Sequence, residues 1–291
     1  MEEVIYLNGY IIPRSQARIS PFDHGFLYGY GLFETMRAYD GCIFRLERHL
    51  ARLRHGAEII GLASKLASFD LEAACQEILS LNGLKEARLR LTITAGEGDM
   101  VPEPATCAGI TVLVMARNFV PLPLQKYEWG FKSVLSSLRR NSQSPLSRLK
   151  STCYLENILA RTEAKAAGAD EAILLNERGY LVEGSTSNIF LVSQGVLITP
   201  SLGSGILVGI TREAVLELAR ALAIKIEERE VELKELAEAD EAFITNSILE
   251  IMPLTCFAGK TIGTGEPGQL TKTLMAAYRK LVAETIGKAA I

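Results

Sequence analysis

Neither a long apolar run nor a strong charge of one sign occurs in this 291-residue sequence. No stretch approaches the roughly 20 apolar residues that a membrane-spanning helix needs. The first residues, Met1-Glu2-Glu3, are acidic where a secretory leader would be basic, so the expectation is a chain that starts near Met1 and works without a membrane. The formal net charge is only -3, with 31 Lys+Arg against 34 Asp+Glu. That balance leaves no bulk attraction for nucleic acid or an anionic surface, and a small-molecule partner is expected instead. The five cysteines (Cys42, Cys75, Cys107, Cys153, Cys256) are odd in number and never form a Cys-x-x-Cys pair, which argues against a disulfide framework or a thiolate metal site and fits a reducing cytoplasm. Histidine is scarce as well. His49 and His55 are six apart, not at the four-residue spacing of a helical metal pair, and His24 stands alone; no metal is expected. No solenoid or propeller period and no low-complexity tract is present.

What is present is an ordinary globular pattern. Apolar residues make up 48% of the chain, enough for one large core or two moderate ones, and two domains are expected at this length. Residues 4–12 read as two short strands broken by Asn8-Gly9, a hairpin signal. Leu46, Leu50, Leu53, Ala57 and Ile60 recur at helical spacing over 45–62, with Arg48, Arg52 and Glu58 between them. A second helix over 70–81 has Asp70 as N-cap and Asn82-Gly83 as its stop. Strands are expected over 87–95 and 109–116, and Pro121 and Pro123 mark a linker at 117–127 between an N-terminal domain (1–116) and a C-terminal one (128–291). Beyond the linker, strands are expected at 131–138, 171–175 and 241–245, and helices at 154–167 and 211–223, which makes the second domain α/β.

Four segments carry chemistry. Asp23-His24-Gly25-Phe26-Leu27-Tyr28-Gly29 runs into Phe33-Glu34-Thr35, with Phe44-Arg45-Leu46-Glu47-Arg48-His49-Leu50 and Arg54 downstream. Arg148-Leu149-Lys150-Ser151 is the second, and Asp170-Glu171-Ala172 through Glu183-Gly184-Ser185-Thr186-Ser187-Asn188 the third. The fourth is Gly209-Ile210-Thr211-Arg212 with Thr245-Asn246-Ser247. Together, in this order and spacing, they resemble the fold type IV enzymes that depend on pyridoxal 5'-phosphate. This class IV aminotransferase family holds branched-chain aminotransferases, D-amino-acid aminotransferases and 4-amino-4-deoxychorismate lyases. The resemblance implies a two-domain fold, α+β and α/β, of the D-amino-acid aminotransferase type, and a homodimer whose sites are finished by the neighbouring subunit.

The same resemblance assigns the residues. Lys150 would hold the cofactor aldehyde as a Schiff base and move the proton at the substrate α-carbon. Glu183, at a strand end among apolar neighbours, would keep the ring nitrogen protonated. Gly209-Ile210-Thr211 opens a helix whose N–H groups and dipole suit a phosphate; Arg54 and Ser247 would complete that clamp. Tyr154 lies four residues after Lys150, where branched-chain enzymes place a tyrosine five residues on that hydrogen-bonds the cofactor's phenolic oxygen, so either that role or a core tyrosine is open. Phe33, Arg90 and Ile248 would border the substrate, the arginine meeting its carboxylate.

Two other features read as ordinary. The glycine-rich run at 263–268 follows no apolar strand into a lysine-bearing helix and reads as a surface turn. Arg139-Arg140 is either a solvated basic loop or an attractor for a substrate carboxylate. For the reaction, the 23–29 motif and Arg90 favour amino transfer between a small, branched or apolar amino acid and 2-oxoglutarate. Thr35 in place of the usual glycine, the short step from Lys150 to Tyr154, and Thr245-Asn246-Ser247 point instead to a lyase that releases pyruvate and p-aminobenzoate. Ala95-Gly96 stands where D-specific enzymes carry Arg-Gly, which ranks that specificity third; a pyridoxal-phosphate carrier without catalysis is the remaining alternative.

Overall fold

A computed structural model describes residues 2–289, and the chain divides into two compact units. The first takes in the chain up to Val120, the short segment Leu149–Cys153 and the chain from Glu284 onward; the second takes in Pro121–Arg148 and Tyr154–Ala283. The cut between Val120 and Pro121 falls within the expected 117–127, and strand pairing, described below, puts the lysine segment with the first unit. The irregular stretch is also shorter than expected, because one strand continues to Asn118 and a helix starts at Leu124.

In the first unit, β1 (Val4–Leu7) and β2 (Tyr10–Pro13) form the hairpin. Its turn residues Asn8 and Gly9 have φ of 50° and 95°, the left-handed backbone that a two-residue hairpin loop demands. Then come α1 (His24–Tyr28), β3 (Gly31–Tyr39), β4 (Cys42–Ile43), α2 (Leu46–Ile59), α3 (Ala63–Leu66), α4 (Leu71–Leu81), β5 (Ala87–Thr94) and β6 (Thr111–Asn118). The six strands form one antiparallel sheet in the order β2-β1-β6-β5-β3-β4. Leu32, Met36, Leu89, Leu91, Ile93 and Val114 pack with Leu50, Leu53 and Ala57 of α2 and with Leu71, Ala74 and Ile78 of α4. The Asp70 carboxylate caps α4 by accepting from the Ala73 amide at 3.0 Å. Register pairs Phe33 with Thr92, Thr35 with Arg90 and Arg90 with Met115, so these side chains share the sheet face opposite the helices.

The second unit contains α5 (Leu124–Trp129), β7 (Phe131–Arg140), α6 (Leu155–Ala166), β8 (Glu171–Asn176), β9 (Leu181–Gly184), β10 (Asn188–Ser193), β11 (Val196–Pro200), α7 (Ile210–Ala221), β12 (Ile226–Arg229), α8 (Leu233–Glu238), β13 (Glu241–Asn246), β14 (Glu250–Phe257) and β15 (Lys260–Thr261). The last helix, α9 (Gln269–Ala289), begins here. Among the described residues the sheet has the order β12-β11-β10-β13-β14-β7-β8-β9, with β15 on β14. It is mixed: β7 runs parallel to β14 and β8, and β12 parallel to β11. Strands β8 and β9 are buried at every position, as in a sheet covered on both faces. Ile173, Ile189, Leu191, Ile244 and Met252 form one core, and Ala160 and Ala164 of α6 meet Leu174 and Val182 in another.

The glycine-rich run at 263–268 does lead into a helix, against the sequence expectation. The Glu241 carboxylate already accepts from the amides of Leu270 and Thr271 at 3.0 and 2.7 Å, so the N-terminus of α9 is filled by a carboxylate where a phosphate loop would need open donors. Among the described residues, no helix is long and apolar enough to cross a membrane.

Candidate active site

Lys150 sits on a chain segment fixed by β3. The amide of Phe33 donates to the Lys150 carbonyl at 2.9 Å, and the Thr152 amide donates to the Gly31 carbonyl at 2.9 Å. Leu32 and Ser151 form a β-bridge, the Thr152 hydroxyl donates to the Gly29 carbonyl at 2.6 Å, and Leu149 packs against the first core. The lysine is thus held by paired backbone on both sides, more firmly than a polar loop would hold it. Its Nζ lies 4.8 Å from the centroid of the Phe33 ring, and the Arg90 guanidinium carbon lies 3.5 Å from the same centroid. The negative ring face attracts both cations. Arg90 Nε also donates to the Thr92 hydroxyl at 3.2 Å, which aims the guanidinium along the sheet face it shares with Phe33. Of the residues assigned from sequence, Phe33, Arg90 and Lys150 are therefore brought together.

On the opposite side of β3 lies a cluster that sequence reading did not single out. The Glu34 side chain is wholly buried and accepts from Arg52 twice, Nε to Oε1 at 2.7 Å and Nη2 to Oε2 at 2.6 Å. His49 Nδ1 meets the same Oε2 at 2.7 Å. Burial alone would raise the carboxyl's pKa, but the Arg52 charge and the His49 contact overturn this and bring it down to about 2. Burial pushes His49 down, Glu34 restores part of the loss, and the positive charges of Arg52 and Lys150 push it down further. A neutral His49 then donates its Nδ1–H to the carboxylate. The sequence signal was there: Glu34 is polar at a position whose strand neighbours on that face are Leu32 and Met36, and His49 and Arg52 are three apart on one helix edge.

Arg54, the arginine assigned to the phosphate, is exposed. Residues two apart on a helix point about 200° apart, so Arg54 projects away from the side of α2 that carries Arg52. The arginine beside His49 is Arg52, and the Lys150 charge acts on the same imidazole.

The second unit holds the remaining assigned residues. Glu183 closes β9 and is 5% exposed. Its Oε2 accepts from Asn188 Nδ2 at 3.1 Å and from the Leu207 amide at 3.0 Å, while Arg140 Nη1 lies 3.6 Å from Oε1. Asn188 also donates to the Leu207 carbonyl at 2.9 Å, which ties Glu183 to the chain entering α7. That helix starts at Gly209 with no side-chain cap. A Cβ on Gly209 would fall 1.9 Å from Asn188 Oδ1, so only glycine allows this approach. Thr211 is buried in the first turn.

The turn after Glu183 is held from several sides. The Glu171 carboxylate accepts from the Ser185 amide at 3.1 Å, from the Ser187 hydroxyl at 2.9 Å and from the Ser185 hydroxyl. Asn157 Nδ2 donates to the Ser185 carbonyl at 2.7 Å. Asn246 Nδ2 donates to the Thr186 carbonyl at 3.1 Å, and Asn246 Oδ1 accepts from the amides of Ile248 and Leu249. This fixes the turn that carries Ser247 and Ile248. Tyr154 occupies the N-cap position of α6, half-buried. Arg139 and Arg140 end a strand, β7, and do not lie in a loop: Arg139 is exposed and turns back onto the carbonyls of Ser136 and Leu138, whereas the buried Arg140 stands between Glu156 and Glu183.

The sequence matches the family model for amino-transferase class IV over residues 31–256. The chain belongs to the class IV aminotransferase family. It is 38% identical to a provisionally named branched-chain-amino-acid aminotransferase of Methanocaldococcus jannaschii, covering 95% of this chain and 96% of that one. It is 37% identical to an aminodeoxychorismate lyase of Bacillus subtilis over 97% of this chain and 96% of that one. The branched-chain amino acid aminotransferase of Thermobaculum terrenum, solved in its pyridoxal-phosphate form, superposes with a TM-score of 0.85 at 28% identity, covering 98% of this chain and 95% of that one. This family member accordingly has the type IV fold of pyridoxal-phosphate enzymes, as the motifs implied, and is an enzyme of the aminotransferase and aminodeoxychorismate lyase group. Its relatives include both transferases and a lyase, so family membership leaves the substrate unassigned.

Proposed function

We propose that this chain is a pyridoxal 5'-phosphate-dependent aminotransferase of the cytoplasm that moves an amino group between a small branched or apolar amino acid and 2-oxoglutarate. One observation carries the reading: Arg90 and Lys150 share the Phe33 ring, at 3.5 and 4.8 Å from its centroid. A substrate carboxylate is thereby offered a forked cation close to the amine. The residues present suit the cofactor, with an amine on paired backbone, a buried carboxylate given amide donors, and a helix N-terminus that no side chain caps.

The cofactor supplies a protonated ring that draws electron density from the substrate α-carbon. Lys150 would hold its aldehyde and is placed to move the proton at that carbon. Glu183 keeps the proton on the ring nitrogen, since a neighbouring carboxylate favours the charged form. The N–H groups of Ile210 and Thr211, with the hydroxyls of Thr211 and Ser247, take the phosphate. Arg52 joins them in place of the exposed Arg54, its planar fork matching phosphate geometry. Tyr154 would take the phenolic oxygen, and Phe33, Arg90 and Ile248 would border the substrate.

A second reading is 4-amino-4-deoxychorismate lyase, favoured by Thr35, the half-buried cross-strand neighbour of Arg90, which puts a hydroxyl on the Phe33 face of the sheet. Assay of the purified protein with leucine and 2-oxoglutarate, D-alanine and 2-oxoglutarate, and aminodeoxychorismate separates the readings. Turnover of the last alone sinks the transferase. The five free cysteines fit a reducing compartment. A homodimer is supported by the exposed Leu155, Ile158 and Leu159 on one side of α6, an apolar stripe at helical spacing that water does not favour; sedimentation as a monomer would count against it.

A further inference from the structure

We infer that Glu34 and His49 are positioning residues for Arg52, and that the preference of this chain for a phosphorylated cofactor depends on their hold. The inference rests on the reading of Arg52 given under the proposed function. Glu34 engages Arg52 through both Nε and Nη2, at 2.7 and 2.6 Å, and His49 adds a third contact to the same carboxylate at 2.7 Å. An arginine has long, freely rotating torsions, and one whose guanidinium plane is set in advance loses less freedom when it meets an anion. The cluster sits where it can do this without touching substrate. Successive side chains of β3 point to opposite faces, so Phe33 faces Arg90 and Lys150 while Glu34 faces α2. Packing alone gives no reason for the arrangement, because a buried ion pair is seldom a better stabiliser than apolar side chains of the same volume.

Electrostatics and positioning make opposite predictions. The negative charge on Glu34 offsets the pull of Arg52 on a phosphate, so a purely coulombic view predicts tighter binding once that charge is removed. Positioning predicts weaker binding, and only of ligands that carry the phosphate.

The test measures dissociation constants of pyridoxal phosphate and of pyridoxal for the cofactor-free protein, by the absorbance that develops on mixing. Glu34→Gln removes the charge, and Glu34→Asp keeps it but withdraws it by one methylene. Circular dichroism reports folding, and Glu34→Asp carries the test if Glu34→Gln does not fold. The expected result is pyridoxal phosphate bound about tenfold more weakly, the cost of immobilising one long side chain on binding, with pyridoxal affinity unchanged. Equal weakening of both ligands would reveal a merely structural role and overturn the inference, as would unchanged or tighter pyridoxal phosphate binding. Arg52→Ala separates this inference from the reading beneath it. If that variant keeps the ratio of the two affinities, Arg52 does not serve the phosphate and both fall. If Arg52→Ala lowers the ratio while the Glu34 variants do not, the reading of Arg52 stands and the inference fails.

Discussion

Glu34 and Glu183 are both nearly removed from water, yet one is met by a fork of charge and an imidazole and the other by two amides and an offset guanidinium. Glu34 takes its partners from α2, 15 and 18 residues further along the chain. Glu183 takes an asparagine five residues on and a backbone amide 24 residues on, with a guanidinium standing off at 3.6 Å. The difference matters for what each can do. A carboxylate locked into a close bidentate pair is spent on its partner, and it acts through that partner. Glu183 divides its carboxylate between two amide donors and the offset Arg140 guanidinium, so no single partner takes both oxygens. Glu34 therefore suits positioning, and Glu183 suits holding a proton on a ring nitrogen.

The largest expected effect lies in the first unit. Lys150→Ala should lower turnover by about 10⁴-fold, the upper range for general acid–base catalysis, and leave no cofactor covalently attached after borohydride reduction; steady-state assay and mass spectrometry check both. Next is Glu34→Ala, which removes the buried carboxylate that Arg52 and His49 share and should cost roughly 3–5 kcal/mol in urea unfolding. The pH dependence has a defined sign. The folded pKa of Glu34 is about 2, below its ordinary 4.5, so its contribution is complete above about 4.5 and disappears as pH falls toward 2. Thermal melts of the wild type should show that acid limb, and Glu34→Gln should flatten it; identical limbs in the two proteins would mean that Glu34 is not the group responsible.

Smaller is the loss expected in the second unit. Glu183→Gln removes the charge but keeps the shape, and should reduce kcat by about 10²-fold with the cofactor still bound. A variant that loses the cofactor altogether would instead give Glu183 a binding role like the one inferred for Arg52. The smallest effect belongs to Arg54→Ala, an exposed site where stability should change by no more than about 0.5 kcal/mol and cofactor affinity should not move. A large drop in affinity there would restore Arg54 to the phosphate and displace Arg52.

Much of the fold was legible because local chemistry decided it. The Asn8-Gly9 turn, the Asp70 cap and the helical spacing of Leu46, Leu50, Leu53 and Ala57 all appear where the residue types place them. Helix ends shifted by one to three residues because they depend on capping geometry. Helices α1, α3, α5, α8 and α9 were missed, the first four because four to six residues are too few to show a period and the last because the glycine-rich run disguised its start. The choice between the two arginines of α2 turns on a related point. Arg52 and Arg54 are equivalent as letters, and only the helix phase relative to β3 separates them.

The sequence by itself determined the family and the kinds of group available, because an amine, a carboxylate and a glycine-opened helix are properties of residue types in order. Tertiary structure decided which charges meet: that Lys150 is pinned to β3, that Arg52 and not Arg54 turns toward Glu34, and that Arg140 is buried beside Glu183. Pairing a charge inside a protein depends on separations of a few ångströms and on the exclusion of water, and neither quantity exists until strands and helices far apart in the chain have packed.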